Sequence, residues 1–373
     1  MAGNIDVESR LGEIRRKRGI GASDLARRVN VSRQTIHAIE AGTFVPNTEV
    51  ALRLARELEV PVDELFCLRQ PAAPPAESLP ADVLSAAAAA EGQPVRICRV
   101  GERWVGVPVS AAPYYLPEAD GIISRTDRGR ADLLVVSGEE AAHHRLVLAG
   151  CDPAMGLLAR MVEKDAGVEV VCAGASSELS LTWLMEGKVH VAGSHLEDAT
   201  TGEFNLPFLR TRFPGEDFTV VTFARWEEGF VVRRGNPKSV RKIEDLACPG
   251  VRLVNREPGS GSRALLDRLL AGAGLPARKV RGYGRIAHGH LAAAYPVLAG
   301  EADVCLATRS AARAFGLEFI PIRGERYDFV LRKSTAELPA VKAFLDVLQR
   351  ASPRRKLEML AGYDTSGMGT VVA

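Results

Sequence analysis

Two kinds of residue group in this 373-residue chain could do chemistry. The first is the stretch from Val31 to Gly42, VSRQTIHAIEAG. Ser32 suits the N-cap of a helix, where its side chain accepts a bond from a free amide. Gly42 suits the left-handed residue that ends one. Ile36 and Ile39 fall three apart on a face that can be buried, while Arg33, Gln34, Thr35 and Ala38 point elsewhere. A short helix with its polar groups gathered at its N-terminal end is what a major groove admits and reads. The second kind is a set of three short loops, each opening a helix: Gly174-Ala175-Ser176-Ser177, the run NREPGSGSR from Asn255 to Arg263, and Ala287-His288-Gly289-His290. Helix starts carry partial positive charge and unsatisfied N–H groups, so loops of this kind can cradle an anion. Gly259 and Gly261 let the backbone approach a ligand, Ser260 and Ser262 add hydroxyls, and Arg256 or Arg263 can add charge, one of them being free to salt-bridge at the surface. The run is no Walker phosphate loop, because no lysine follows its glycines at the required spacing.

The elements that position the first group are short helices. Ala22 to Val29 (ASDLARRV) reads as a helix that stops at Asn30, a turn residue, so two helices meet across a tight turn. DLARRVNVSRQTIHAIEAG, with FVPNTEVALRLARELEVPVDELF after it, resembles the five-helix DNA-binding domain of the phage-repressor (Xre, Cro-like) family over roughly residues 8 to 67. The resemblance implies an all-α helix-turn-helix domain whose third helix reads bases through Arg33 and Gln34, with Ala38 one turn on and Thr35 close by. It places Thr43, Phe44 and Asn47 along the phosphate backbone, where contacts position without specifying. Gly21 and Ala22 stand where the family often has a serine cap and a glutamine, so one usual contact is missing. Glu40 reads as a partner for a helix-one arginine such as Arg15.

Composition bounds the rest. The length allows two or three domains with sizeable cores. A formal charge of +2 excludes a polybasic nucleic-acid coat, so any DNA binding comes from a local patch. Cys67, Cys98, Cys151, Cys172, Cys248 and Cys305 show no CxxC pair and no metal-ligand spacing, and read as reduced, mostly buried thiols. The charged, helical N-terminus and the lack of any membrane-length apolar run predict a cytoplasmic protein with no membrane partner.

Four segments follow from texture. Residues 1–68 form the helix-turn-helix domain. Residues 69–94, rich in proline and alanine, read as a semi-rigid linker with one short helix at ADVLSAAAAA. Residues 95–145 read as a small β-containing connector without chemistry of its own. From 146 to 373, strands alternate with helices: RLVLAGC, VEVVCAG, HVAGSHL, VRLVNR, KVRGY and DVCLAT are the strands, with helical runs between them. That alternation implies an α/β layer with parallel pairing. Two long extended stretches, DFTVVTFARWEEGFVVRRGNP and ERYDFVLRKS, would join two lobes, lobe I about 146–235 with 325–373 and lobe II about 236–324.

The words LVLAGCDPAMGLLA, MEGKVHVAGSHLEDATTGEFN, NREPGSGSRALLD, ERYDFV and GYDTSGMGTV resemble the type II periplasmic-binding-protein fold, specifically the cytoplasmic domain related to molybdate and tungstate binding proteins. The resemblance implies a two-lobed ligand sensor, with a molybdate- or tungstate-like oxyanion as effector. In open α/β layers the pocket lies at the carboxyl ends of strands, which nominates Asp152, Ser176, Ser177, His195, Asn255, Arg256, Gly259, Ser260, Gly261, Ser262, Arg263 and His288. Asp152 stands where an anion-binding relative prefers serine or threonine, and Ala287 where relatives show a hydroxyl. A carboxylate facing the cleft repels an oxyanion, so Asp152 either caps its own helix or meets a donor on an organic ligand. No second histidine lies at i+3 or i+4 from any histidine, so no histidine metal site is expected, and no nucleophile–base pair stands out. The expectation is a one-component transcriptional regulator: double-stranded operator DNA and a small effector as partners, a homodimer because one helix reads few base pairs, and no catalytic residues. The alternative is an enzyme or carrier for a molybdenum-cofactor-related small molecule.

Overall fold

The computed structural model describes residues 7–68, 78–109, 116–127, 129–137 and 139–373. They form two compact units, divided at Ala76/Glu77. In the first, β1 (Val7–Ser9) leads into helices α1 (Leu11–Lys17), α2 (Ala22–Val29), α3 (Arg33–Glu40), α4 (Thr48–Leu58) and α5 (Val62–Leu65). β2 (Phe66–Leu68) then returns antiparallel to β1, a two-stranded pair added to the expected helices. Leu11, Leu25, Val29, Ile36, Ile39, Leu54 and Leu58 form one core, which the apolar spacing of each helix dictates. Asn30 ends α2 in the left-handed conformation at φ 57° and Gly42 follows α3 at φ 68°, so the turn and the stop fall where those residue types allow them.

The second unit opens with a five-stranded closed barrel: β3 (Ser78–Val83), β4 (Pro94–Val100), β5 (Arg103–Pro108), β6 (Gly121–Asp127) and β7 (Arg130–Val135), in the order β3-β5-β4-β6-β7. Ala81, Val95, Ile97, Ile123, Ala131 and Leu133 fill it. This corrects the linker reading. Residues 69–77 lie outside the described residues, but Ser78–Val83 is a barrel strand and ADVLSAAAAA forms no helix. The barrel needs a fifth strand, and Ser78 to Asp82 supplies it by pairing with β7.

The short helix α6 (Glu139–Ala142) leads to β8 (Leu146–Gly150), α7 (Met155–Ala166), β9 (Val170–Gly174), α8 (Ser177–Met185), β10 (Val191–Ser194) and α9 (Leu206–Arg212). β11 (Phe218–Val232) then crosses to β12 (Leu253–Arg256), α10 (Gly261–Gly272), β13 (Ile286–Ala287), α11 (His290–Leu298), β14 (Val304–Thr308) and α12 (Arg309–Ala314). β15 (Glu318–Arg332) crosses back to α13 (Lys333–Ala336), α14 (Pro339–Gln349) and α15 (Ala351–Ala361). The sheet order is β13-β12-β14-β11-β15-β10-β8-β9, parallel within each lobe and antiparallel along the two crossings. β11 pairs with β14 of lobe II from Glu228 onwards, and β15 pairs with β10 of lobe I only at Asp328–Val330. The change of lobe therefore falls near Ala224–Glu228, earlier than the expected bound at 235, and register shifts at Thr222/Ala224 and Glu228/Gly229 bracket it. KVRGY is not a strand. Gly282 turns there at φ 90°, and a Cβ on it would lie 2.1 Å from the Leu253 carbonyl oxygen, so the chain wraps past the edge of β12 and pairs only at Ile286–Ala287.

The barrel is fastened to lobe I. Leu84, Cys98, Val100, Val105 and Val107 pack against Val147, Ala149, Val171 and Ala173. Beside them Arg145 donates to both Asp120 oxygens at 2.6 and 3.1 Å, to Glu169 at 2.7 Å and to the Ile97 carbonyl at 2.7 Å. Arg96 completes the group through Asp120 and Glu169.

Candidate functional site

In the helical unit, α3 presents its polar face outward. Ser32 caps it, its Oγ accepting from the Thr35 amide at 3.0 Å and lying 2.8 Å from the Thr35 hydroxyl. Arg33 and Gln34 are exposed, and Ile36 and Ile39 on the opposite side are fully buried. Thr35 and Ala38 are half-buried, while Thr43, Phe44 and Asn47 are exposed in the segment after α3. Thr43 donates to the Ala38 carbonyl at 3.1 Å, and Asn47 caps α4 by accepting from the Val50 amide at 2.9 Å, leaving its Nδ2 free to donate. Arg15 holds Glu40 at 2.6 Å, which keeps that carboxylate inside the domain.

The second unit gathers its polar residues where strands end and helices begin between the lobes. Cys151 and Asp152 follow β8, His195 follows β10, and Arg256 and Glu257 close β12. His290 opens α11, and the crossings β11 and β15 bring Glu228 and Glu325. The Cys151 Sγ lies 3.5 Å from His195 Nε2 and 3.7 Å from His290 Nε2. His195 Nδ1 meets Glu325 at 2.6 Å, and His290 Nδ1 lies 3.9 Å from Glu228. Gly261 makes this possible, since a Cβ there would stand 2.5 Å from the His195 ring. Trp226 and Tyr327 wall the group, their ring centroids 5.3 and 5.8 Å from that of His195.

Burial sets the electrostatics. It pushes Asp152 up to about 7, against the pull of the Ala154 amide and the Tyr363 hydroxyl, which both donate to Oδ1. Burial, with Glu325 close by, likewise pushes Glu228 up to about 7. His195 is held well above the usual imidazole range: burial opposes its charge, but Cys151 and Glu325 outweigh it. His290 goes the other way, lowered by burial and by Arg256 and His195. Several buried atoms lack any hydrogen-bond partner among the described residues: Asp152 Oδ2, Trp226 Nε1, both Glu228 oxygens and His290 Nδ1. Polar atoms are rarely buried unsatisfied, so this concentration makes the cleft the candidate site. A cavity of about 660 Å³ opens against Cys151, Asp152, Glu257 and His290.

The nominated residues divide. Asp152, Ser176, Ser177, His195, Arg256, Ser260 and Ser262 are buried around this cleft. Ser177 accepts from the His195 amide at 3.2 Å, Ser176 and Ser260 cap α8 and α10, and Arg256 spends two donors on Glu257 at 2.8 and 2.9 Å. The carbonyl of Gly259, which turns at φ 80°, accepts from the Glu178 amide across the lobes at 3.1 Å. Asn255 ties its own loop, donating to the Tyr283 carbonyl at 3.1 Å. Arg263 turns to the lobe surface, paired with Asp267 at 3.0 Å and stacked on Tyr283 at 4.2 Å. His288 is exposed at the cavity rim while His290, two residues on, is buried in the cluster, because Gly289 at φ 99° reverses the chain between them. Sequence reasoning passed over Cys151, His290, Glu228 and Glu325. The signal for His290 was the HGH run itself; the two glutamates sit in extended runs with no local mark. The expectations of no nucleophile–base pair and no histidine metal site rested on local spacing, and these groups meet across 44 and 139 residues. All six cysteines are free, but Cys98 and Cys305 alone are fully buried.

Comparison with known proteins places this geometry. A family described as the PBP superfamily domain matches residues 158–349, just over half of the chain. The chain belongs to the PBP superfamily. A helix-turn-helix domain family matches residues 9–70 ahead of that PBP domain. The uncharacterized protein YvgK of Bacillus subtilis (strain 168) is 33% identical over 238 residues, 64% of this chain and 77% of YvgK. The uncharacterized HTH-type transcriptional regulator YgzD of the same organism is 30% identical over 64 residues, 17% of this chain and 97% of YgzD. Among solved structures, a putative phosphate ABC transporter substrate-binding protein with bound phosphate from Clostridium perfringens is 13% identical at a TM-score of 0.45, covering 59% of this chain and 98% of that one. The chain thus joins a helix-turn-helix domain, of the kind HTH-type regulators carry, to a two-lobed PBP domain. No helix among the described residues is long and apolar enough to cross a membrane.

Proposed function

We propose that the chain is a one-component transcriptional regulator acting in the cytoplasm. Its helical unit binds operator DNA as a homodimer, and a small ligand in the interlobe cleft sets that affinity. The observation that carries this is the outward polar face of α3, with Arg33 and Gln34 exposed above the buried Ile36 and Ile39, in one chain with a cleft lined by unsatisfied polar atoms. Arginine suits guanine and glutamine suits adenine, with Ser32, Thr35 and Ala38 beside them and Thr43, Phe44 and Asn47 towards the phosphates. Dimerisation draws support from Val45 and Leu52, apolar and 42% and 57% exposed, at a groove shared with Val62 and Phe66.

A ligand regulates only through different affinities for the DNA-competent and incompetent arrangements. A hundredfold ratio corresponds to about 3 kcal/mol of coupling. A binding assay on the DNA upstream of the chain's own gene tests the reading. Arg33→Ala and Gln34→Ala should each weaken binding by about 1–3 kcal/mol, roughly five- to 150-fold; equal binding by all three proteins would overturn the contact assignment.

The molybdate or tungstate version of the ligand draws support from the serine-bearing starts of α8 and α10. Asp152, Glu228, Glu257 and Glu325 crowd the same cleft and oppose it. Thermal-shift titration with molybdate, tungstate and sulfate decides, since an oxyanion that binds raises the melting temperature with its concentration. A second reading, covalent chemistry, is favoured by the order Cys151, His195, Glu325, which is that of a thiol nucleophile, its base and an orienting carboxylate. Turnover of a candidate small molecule, lost in Cys151→Ala, would establish it.

A further inference from the structure

The two histidines around Cys151 pose a question that a thiol–imidazole pair leaves open. His195 Nε2 and His290 Nε2 both face one sulfur, at 3.5 and 3.7 Å, although a single base is enough to activate a thiol. Each ring has a carboxylate on its far side: Glu325 at 2.6 Å from His195 Nδ1, Glu228 at 3.9 Å from His290 Nδ1. The donor atoms Sγ, Nε2 and Nε2 lie within 4.8 Å of one another.

We propose that Cys151, His195 and His290 hold one thiophilic transition-metal ion, Zn²⁺ or Cu⁺, that ties the two lobes together.

The separations carry the proposal. With a metal–sulfur bond of about 2.3 Å and a metal–nitrogen bond of about 2.0 Å at a tetrahedral to trigonal angle, sulfur and nitrogen stand roughly 3.5–3.8 Å apart. Both observed distances fall in that span. A thiolate with two imidazoles is a donor set for Zn²⁺ or copper, whereas Mg²⁺ and Ca²⁺ take oxygen. Ligating histidines as a rule pass their other nitrogen to a carboxylate, a backbone carbonyl or water, which fixes the ring and its tautomer; Glu325 holds that place for His195 at 2.6 Å, and Glu228 is the carboxylate nearest His290 Nδ1 at 3.9 Å. His290 Nδ1 and both oxygens of Glu228 have no hydrogen-bond partner among the described residues, and His290 Nδ1 stands 3.9 Å from the nearer of those oxygens. Cys151 and His195 belong to lobe I and His290 to lobe II, so an ion on all three favours the closed arrangement. The cavity reaches Cys151 and His290. Coordination needs the thiolate and both Nε2 lone pairs, so protons on these atoms leave to solvent as the ion enters.

As a site this stands on geometry alone; as an effector site it rests on the regulator reading. The full-length chain is stripped with a chelator, dialysed separately against Zn²⁺, against Cu⁺ under reducing anaerobic conditions and against Co²⁺, and its metal content is measured. One equivalent of Zn²⁺ or Cu⁺ is expected, with Co²⁺ giving a thiolate-to-metal charge-transfer band. Cys151→Ser should abolish that band, and His290→Ala should weaken Zn²⁺ binding at least tenfold, while Cys248→Ser, on the exposed surface, leaves both unchanged. Circular dichroism melts confirm that the variants fold, and Cys151→Ser changes one atom should His290→Ala fail. Metal at no more than trace stoichiometry, or a band that survives Cys151→Ser, overturns the proposal. DNA binding is measured on the same samples with and without metal. One equivalent of metal in a chain that ignores all DNA upholds the site and sinks the regulator reading; DNA binding in a chain that takes no metal does the reverse.

Discussion

Arg145 is where the fastening of the barrel to lobe I can be tested quantitatively. Its guanidinium is 4% exposed and makes two bonds to Asp120, one to Glu169 and one to the Ile97 carbonyl. Arg145→Met keeps an unbranched apolar stem and removes the charge. The cluster of Arg96, Arg145, Asp120 and Glu169 then passes from formally neutral to −1, with Asp120 still only 5% exposed. Removing one partner of a buried pair costs about 3–5 kcal/mol, most of it from the charge left behind. Arg96 remains 3.1 Å from Asp120, and the Ile97 amide donates to that carboxylate at 2.7 Å, so the lower end of about 3 kcal/mol applies. The second unit has roughly 300 residues, and at about 2.1 cal/mol/K per residue its unfolding entropy is about 0.6 kcal/mol/K. The loss is then about 5 °C in the melting temperature of that unit. Calorimetry of the full chain reads it, because the smaller helical unit has its own heat and a single two-state fit is not assumed. The double variant Arg145→Met/Asp120→Asn removes the stranded charge and should melt above the single one. A drop under about 1 °C, or a double variant melting no higher than the single, refutes the view that this ion cluster, rather than the apolar contact beside it, decides how firmly the barrel is held.

Two further perturbations follow from the same geometry. Gly261→Ala places a methyl 2.5 Å from the His195 ring and 2.9 Å from its carbonyl oxygen, so the ring must leave Glu325; an overpacking cost of about 1–3 kcal/mol is expected, read as a lowered melting temperature of the PBP domain and refuted by an unchanged one. His190 is lowered to about 4 by burial, and its Nδ1 accepts from the Val147 amide at 3.0 Å. Its folded value is depressed, so its neutral form supports stability above about 6.5 and that support is lost as pH falls towards 4, a change of up to about 3 kcal/mol. His190→Asn keeps an acceptor for the amide and cannot be protonated, so melts recorded between pH 7 and 4 should show the native chain losing ground to the variant; parallel curves would refute the assignment.

Much of the fold is legible because its determinants are local. The caps at Ser32 and Asn47 and the stop at Gly42 are written in single residue types, and the isoleucine pair of α3 carries its own period. β8 and β14 are short runs buried on both faces, and such runs read as apolar words. The barrel was legible only as β-rich texture. Its closure depends on Ser78 to Asp82 pairing with β7 some fifty residues away, and a stretch of prolines and alanines gives no local sign of that. KVRGY failed for a related reason: its composition suits a strand, and the turn at Gly282, which lies against the carbonyl of Leu253, has no local sign beyond the glycine itself.

The site was half legible for a different reason. Helix starts after strands advertise themselves through glycine and serine, and that signal picked out Ser176, Ser177 and the loop from Asn255 to Arg263, of which Asn255 and Arg263 turn to partners of their own. A cluster assembled across lobes has no such grammar. Cys151, His195 and His290 come from three loops, and Glu228 and Glu325 from the middle of two crossings, so no spacing rule joins them. What the sequence did register was the misfit of Asp152. The structure gives that misfit a wider meaning, because Asp152 is one of four carboxylates around the cleft, two of which, Glu228 and Glu325, stand directly behind imidazoles. Arg256 answers Glu257 and His195 answers Glu325, but Asp152 Oδ2 and both Glu228 oxygens have no donor among the described residues, so these acceptors favour a guest that brings donors or positive charge. Helix starts on their own favour an anion and carboxylates in the same space oppose one, so side chains rather than the fold set the sign of the guest such a cleft accepts.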